Sequence, residues 1–447
     1  MSKEFSLKKN YLFQSQFDNL KSEIRYLKSY DSNDKNIRKR LLDKQHELAE
    51  LERVKARGAW VRSRFQYVND SDKPTKYFFD LERKRGKQKQ LSHLTLPDGI
   101  ITDSEKEINN ITKAFYTDLY SPDAVDDECQ NKILENLPTL NDDQQELLDN
   151  AISYDELSTA VSKSNNNKSH GIDGLPSELY KTFWTLIGKD LHEVFLSSIE
   201  HNNLPLSCRR AVLTMIPQKG DTSLLQNWRS ISIIGCDYKI LPRALSLRLQ
   251  TVPPDILDID QSYCVPVRHS SDNVRFISDA TCYANQENIP LAIVSLDQEK
   301  AFDRIHHDYL FKTVESFGFG EYFISCIKIL HTNVHSLLKI NNSLTFIQFR
   351  RGIRQICSLS GHMYAICLEP LLHKLRSNEG LKGLSLPFSH GKKARLSAYA
   401  DDVNTLITSD SDFERLSFLL DIYQKASNSK VNLIKTQGLW MLEGQQR

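Results

Sequence analysis

The chain has 447 residues (51.5 kDa), 40% hydrophobic and 26% charged, with 17 glycines and 14 prolines; this fits a folded protein of two or three domains and excludes fibrous, low-complexity and disordered classes. Its net charge of +1 conceals an asymmetry, because residues 1–100 carry +9, residues 101–150 carry −10 and the remainder +2. No apolar run approaches the roughly 18–20 residues of a membrane span, so no membrane partner is expected. Eight scattered cysteines lacking Cys-x-x-Cys spacing argue against a zinc site and for free thiols in a reducing compartment.

From the N-terminus, Leu20, Ile24 and Leu27, then Ile37, Leu41, Leu48 and Leu51, recur at helical spacing among charged residues. This predicts one or two amphipathic helices forming a basic arm. The arm leads into a stretch where Arg62, Arg64 and Lys76 alternate with Trp60, Phe65, Tyr67 and Tyr77. Cations interleaved with aromatic rings suit single-stranded nucleic acid, although the same rings could serve a core. Helical patterning dominates from Ser104 to Glu200, interrupted by a turn-rich run from Asn165 to Pro176. Strand-like pieces follow at Arg210–Ile216 and Ser230–Ile234, then a helical segment from Tyr238 to Leu249. Pro290–Asp297 reads as a buried strand ending in a carboxylate, with a helix after it to Phe317. A further helix is expected over His362–Arg376, and Arg395–Thr408 reads as strand, two-residue acidic turn, strand. The order is that of an α+β fold.

Two features of this series carry chemistry: a strand delivering Asp297 at its end, and a hairpin presenting Asp401 and Asp402 at its tip. Taken singly, each has an ordinary structural use, Asp297 as a helix N-cap and Asp-Asp as a surface turn. Taken together they offer carboxylates that repel one another and sit beside apolar neighbours, a conflict that a pair of Mg²⁺ ions would resolve. Two such ions suit nucleotidyl transfer.

The run Ser295-Leu-Asp-Gln-Glu-Lys-Ala-Phe-Asp303, the box Arg351-Gly-Ile-Arg-Gln-Ile-Cys-Ser-Leu-Ser360 and the box Ala398-Tyr-Ala-Asp-Asp402 resemble, in order and separation, the central motifs of a reverse transcriptase. With flanking runs such as Asn167–Pro176, Ile216–Asp221, Asn227–Ser232 and Ser429–Thr436, nearly the whole chain resembles the polymerase of a LINE-type, non-LTR retrotransposon. The resemblance implies right-hand polymerase fingers and palm, with an antiparallel palm sheet flanked by helices. It divides the chain into a basic helical arm or linker (1–100), a helical N-terminal extension (101–200), and fingers and palm (201–447) without an endonuclease or a complete thumb.

By that resemblance the activity is RNA-directed DNA polymerisation on an RNA template and DNA primer, from deoxynucleoside triphosphates (dNTPs). Asp297 and Asp401 would hold two Mg²⁺ or Mn²⁺ ions, with Asp402 supporting the site. Phe302 would exclude a ribose 2′-hydroxyl, which also argues against an RNA-templated RNA polymerase. Gln355, Lys219, Arg229 and Lys435 would meet the nucleotide; Arg62, Arg64, Lys76 and Arg268 would meet nucleic acid. Target-primed insertion would require access to the nucleus. The family box usually reads Arg-Gln-Gly-Cys-Pro-Leu-Ser, whereas here Ile356 replaces the glycine and Ser358 the proline. Val267 and Ser230 likewise stand where glycine and proline are common. Isoleucine adds bulk and disfavours positive φ, so Ile356→Gly is expected to raise activity. The alternative is an inactive remnant that still binds RNA or an RNA–DNA hybrid.

Overall fold

The computed structural model describes residues 2–29, 35–63, 90–96, 98–250, 252–355, 357–387 and 393–440, in two compact units, 1–90 and 91–447. In the first unit the expected arm is two helices, α1 (Ser2–Lys28) and α2 (Lys35–Ser63). Phe17, Ile24 and Leu27 form a buried stripe at helical spacing, and Lys44 on α2 pairs with Glu23 on α1 at 3.6 Å.

The second unit begins with a short hairpin, Leu94–Thr95 against Ile101–Thr102, and five helices. These are α3 (Glu105–Leu119), α4 (Asp127–Leu134), α5 (Asp142–Asp149), α6 (Tyr154–Ser162) and α7 (Ser177–Glu200). The −10 stretch now has a physical account: Glu105 and Glu107, Asp127 and Glu128, and Asp142 and Asp143 occupy first helical turns, where the backbone dipole favours negative charge. Asn141 with Gln144 and Ser153 with Glu156 close reciprocal capping boxes on α5 and α6. Residues of α4 to α7 join the same hydrophobic core as residues 201–426, so the compact units part after Gln90 and not near residue 200.

Of the remaining elements, those that frame the site are β1 (Arg210–Pro217), β2 (Trp228–Ile234), α8 (Cys236–Leu249), α9 (Ser270–Gln286), β3 (Ala292–Leu296), α10 (Ala301–Arg304), α11 (His307–Ser316), α12 (Glu321–His331), β4 (His335–Ile340), β5 (Ser343–Gln348), α13 (Ser360–Ser377), β6 (Leu396–Tyr399), β7 (Asp402–Ile407), α14 (Asp410–Ser427) and β8 (Gln437–Trp440). They build two four-stranded sheets. One runs β2-β1-β4-β5, with β1 and β4 parallel; the other runs β6-β7-β3-β8, antiparallel throughout. β3, inner together with β7, sends Ala292, Val294 and Leu296 into the main core, while Ile293 packs with Ala280 and Ala284 of α9. Helix α13 is buried around almost its whole circumference, as its apolar sequence requires.

The single helix expected from Asp297 to Phe317 is instead two helices. Ile305 and His306 are extended, the Ile305 carbonyl accepts from Gly352 N at 2.8 Å, and the His306 ring accepts from Asp308 N to start α11. Pairing with the 351–353 segment overrides local helix propensity there.

Candidate active site

The edge strand β2 of one sheet and the strand ends of the other line a cleft of about 610 Å³. Asp297 reaches it from the end of β3: its carbonyl accepts from Asn432 N at 2.7 Å and its N–H reaches Thr436 Oγ1 at 3.3 Å, which fixes the strand end between two segments. Asp401 reaches it from the β6–β7 hairpin. The turn residues are Ala400 and Asp401, since Tyr399 pairs with Asp402; the acidic turn expected at Asp401-Asp402 is thus displaced by one residue. Ala400 adopts φ +55° and donates its N–H to Gln261 Oε1. This left-handed conformation costs a non-glycine residue about 1–2 kcal/mol and turns the chain in two residues. Asp402 is the first residue of β7, exposed, and does not line the cleft.

Burial pushes the Asp401 carboxyl above the usual carboxylate range, with Asp402 and Asp297 adding to the rise and Arg229 opposing it. Asp297 and Asp401 therefore act on one another electrostatically across one cavity. Among the described residues no cluster of three metal-ligating side chains occurs. The donor set is a pair of hard oxygen ligands, which fits Mg²⁺ or Mn²⁺, because Mg²⁺ is commonly held by one or two carboxylates with substrate phosphates and water completing its shell.

Other expected site residues meet the same cleft. Phe302 is half-buried and stacked on Tyr364, with ring centroids 4.3 Å apart and planes at 22°. Gln355, Arg229 and Lys435 also line it, the last two with exposed side chains. Lys219, in the turn after β1, is exposed and does not line the cleft. Arg268 directs its guanidinium to the carbonyls of Asp258 and, at 2.9 Å, Gln261, an arrangement that holds its own loop. Arg62 lies on α2 with its side chain outside the described residues, and Arg64, Lys76 and Ile356 lie outside them altogether.

Sequence reasoning assigned no role to Lys300, which lines the cleft, adopts φ +51° and donates to the Trp228 carbonyl. Burial lowers its pKa to about 8; Asp303 opposes this, and Lys435 and Arg229 reinforce it. Asp303, 4% exposed, was missed as well. Its apolar neighbours Ala301, Phe302 and Ile305 hinted at burial, and a buried carboxylate needs partners, but the sequence did not say which. Carboxylates on one wall and Arg229, Lys300 and Lys435 around them suit a polyanionic ligand bridged by divalent cations.

Residues 216–445 match the family model described as reverse transcriptase (RNA-dependent DNA polymerase). The chain belongs to the reverse transcriptase family. Every cleft residue named above falls within the matched part, which implies a polymerase palm and fingers fold of α+β class. The chain is 40% identical over 414 residues to the Transposon TX1 uncharacterized 149 kDa protein of Xenopus laevis, covering 92% of this chain and 31% of that protein. It is 26% identical over 201 residues to the retrovirus-related Pol polyprotein from type-1 retrotransposable element R2 of Popillia japonica, covering 44% of this chain and 27% of the relative. These similarities support the LINE-type affiliation. The chain spans less than a third of the length of either relative. No helix among the described residues is long and apolar enough to cross a membrane.

Proposed function

We propose that this chain is the RNA-directed DNA polymerase of a LINE-type retrotransposon, extending a primer 3′-hydroxyl with dNTPs on an RNA template. The observation that carries the reading is the meeting of Asp297 and Asp401, more than a hundred residues apart in sequence, at one cleft that Phe302, Gln355, Arg229 and Lys435 also line. Asp297 and Asp401 would hold two divalent ions. When bound, Mg²⁺ or Mn²⁺ favours the ionised attacking hydroxyl and offsets charge on the departing pyrophosphate. Arg229 and Lys435 contribute fixed positive charge toward the triphosphate, and Lys300 holds the Trp228 carbonyl at the edge of the same cavity. The Phe302 ring, braced by Tyr364, has little freedom to swing aside and would exclude a 2′-hydroxyl by contact. Asp402, exposed beside Asp401, acts through the field it adds there. Lys219 is assigned to template contact outside the cleft, as are the arm residues Arg62, Arg64 and Lys76, whereas Arg268, its guanidinium taken up by the carbonyls of Asp258 and Gln261, is assigned to holding its own loop.

The test is primer extension on poly(rA)·oligo(dT) with Mg²⁺ and, separately, Mn²⁺, with Asp401→Asn run in parallel. Incorporation by the parent that the substitution abolishes supports the proposal. Salt-dependent binding of the hybrid without incorporation replaces it with an inactive nucleic-acid-binding remnant.

A further inference from the structure

Three remote pieces of chain meet at the Asp303 carboxylate. Tyr120, just past α3, donates its hydroxyl to Oδ1 at 3.0 Å. Ser230 of β2 donates to Oδ2 at 3.2 Å, its oxygen lying 3.0 Å from the Tyr120 hydroxyl. Gln355, ahead of α13, brings its amide Nε2 to Oδ2 at 3.4 Å. The approach is enforced by backbone: Ile353 N donates to the Phe302 carbonyl at 2.7 Å and Gly352 N to Ile305 at 2.8 Å. A Cβ on Gly352 would lie 2.7 Å from the Asp303 carbonyl oxygen, and its φ of +90° is one that glycine tolerates. Only a bare backbone lets the segment carrying Gln355 lie this close to α10.

An ionised carboxylate is an acceptor only, so it reads the two ends of the Gln355 amide differently. Nitrogen must face Asp303, and the carbonyl oxygen is the end left for the cleft. Burial raises the Asp303 carboxyl to about 6, while the Tyr120 hydroxyl, Lys300 and Ser230 act to hold it down, so it is ionised at the mildly alkaline pH of a polymerase assay. Tyr120 holds Oδ1 while Ser230 shares Oδ2 with Gln355, tying β2 and the end of α3 to the same point.

We propose that Asp303 is a positioning residue: it fixes the Gln355 amide so that Oε1 accepts a hydrogen bond from the incoming nucleotide, and Tyr120 and Ser230 hold Asp303 for that task. The inference rests on the polymerase reading of the cleft. It makes the Asp303 effect on nucleotide binding pass through Gln355, so the two substitutions should not multiply.

The experiment is a double-mutant cycle of Asp303→Asn and Gln355→Ala, with dTTP on poly(rA)·oligo(dT). Two quantities are read: dTTP Kd on a dideoxy-terminated primer, where no chemistry occurs, and KM and kcat on an extendable one. Asp303→Asn brings an amide that can donate to Gln355 Oε1 and turn it over; it should weaken dTTP binding about five- to tenfold with kcat within about threefold. In the Gln355→Ala background the same change should cost less than about twofold. Tyr120→Phe keeps the ring and serves if Asp303→Asn unfolds, with an expected loss of about two- to threefold that vanishes in Gln355→Ala. Fully multiplicative losses, or a parent complex that does not bind dTTP, overturn the inference. Non-multiplicative binding losses without any incorporation would retain the positioning role and remove the polymerase reading, whereas incorporation with multiplicative losses would do the opposite.

Discussion

The two walls of the cleft are built on opposite principles. The acidic wall comes from the β6-β7-β3-β8 sheet, where strand register sets the carboxylates: Leu296 pairs with Val403, and Asp297 and Asp401 lie at the adjoining strand end and turn. The cations are Arg229 on β2 and Lys435 in the turn that leads into β8 beside Asp297, both long, exposed side chains. Backbone geometry fixes one charge set to within a rotamer; the other can follow a ligand. A site that must hold metal ions at a set spacing while nucleotides enter and leave gains from this division, because ion positions demand rigidity and phosphate capture does not.

The largest effects should therefore fall on the rigid wall. Asp297→Asn and Asp401→Asn are each expected to lower incorporation by at least about a thousandfold, about 4 kcal/mol in the barrier, while hybrid binding in a filter or fluorescence assay stays within a few-fold. Arg229→Ala should instead raise the dNTP KM by about tenfold and leave hybrid binding near normal. Equal losses from both walls would contradict the division.

The acidic wall also has a foundation that can be removed. Ala398 N donates to the Asp260 carbonyl at 2.8 Å and Ala400 N to Gln261, so the 258–262 loop braces the hairpin that bears Asp401. Arg376 anchors that loop, bonding Asp260 at 2.8 Å and Glu369 at 3.0 Å with Asp258 at 3.5 Å. Burial works against the Arg376 charge, but the Asp260 hydrogen bond and the three carboxylates raise its pKa overall. Arg376→Met, which leaves Asp260 and Asp258 without their cation, should cost about 3–5 kcal/mol in denaturant unfolding. One guanidinium cannot neutralise three acids. Burial raises Glu369 from 4.5 to about 8 in spite of Arg376, and its Oε2 has no hydrogen-bond partner among the described residues. The sign follows from proton uptake: between about pH 4.5 and 8 the folded chain holds a proton the unfolded chain has released, so stability falls as pH rises through that window. Glu369→Gln should flatten the fall and stabilise the protein above pH 8 by about 1–2 kcal/mol, read from denaturant midpoints against pH. A parent whose stability rises between pH 5 and 8, with the variant parallel to it, would contradict this.

What was legible in the sequence follows the same contrast. Strand-end carboxylates announce themselves, because an apolar run ending in aspartate and a Tyr-Ala-Asp-Asp hairpin are local patterns; Asp297 and Asp401 needed no tertiary knowledge. Phe302 and Gln355 were singled out by the family resemblance alone, and both line the cleft. The Asp303 cluster was not, because Tyr120, Ser230 and Gln355 reach it from separations of 183, 73 and 52 residues that no local pattern encodes. The break in the helix after Asp297 escaped for the same reason, being imposed by the distant 351–353 segment. The one-residue shift of the hairpin turn escaped because Ala400, an unexpected residue for φ +55°, takes the place that turn chemistry would give to glycine or asparagine.

Between the walls, Phe302→Ala should raise ribonucleotide incorporation relative to deoxynucleotide by about tenfold or more, about 1.4 kcal/mol of discrimination. The Tyr364 stack makes a second variant informative. Tyr364→Leu leaves Phe302 in place but unbraced, and should relax the same selectivity by a smaller factor, measured as the ratio of kcat/KM for rUTP and dTTP. If the ring excluded the hydroxyl by bulk alone, Tyr364→Leu would leave the ratio unchanged.

The smallest effect tests whether strain elsewhere on the acidic side resembles that at Ala400. Val267 is 90% exposed and adopts φ +70°, a conformation that its β-branched side chain resists. Its neighbour Arg268 is tied to the carbonyls of Asp258 and Gln261, so the strained turn is held by the loop that also braces the Asp401 hairpin. Glycine here relieves steric strain of about 1–3 kcal/mol and gives back about 0.5–1 kcal/mol in unfolded-chain entropy. No buried methyl is lost, because the side chain is in solvent. Val267→Gly should therefore raise stability by about 1 kcal/mol. At Ala400 the same replacement strips a buried methyl worth about 0.8 kcal/mol and should gain almost nothing. Denaturant midpoints of the two glycine variants measure the difference: equal gains would mean that backbone strain alone sets both positions, and a gain confined to Val267→Gly would mean that Ala400 earns its strain through packing.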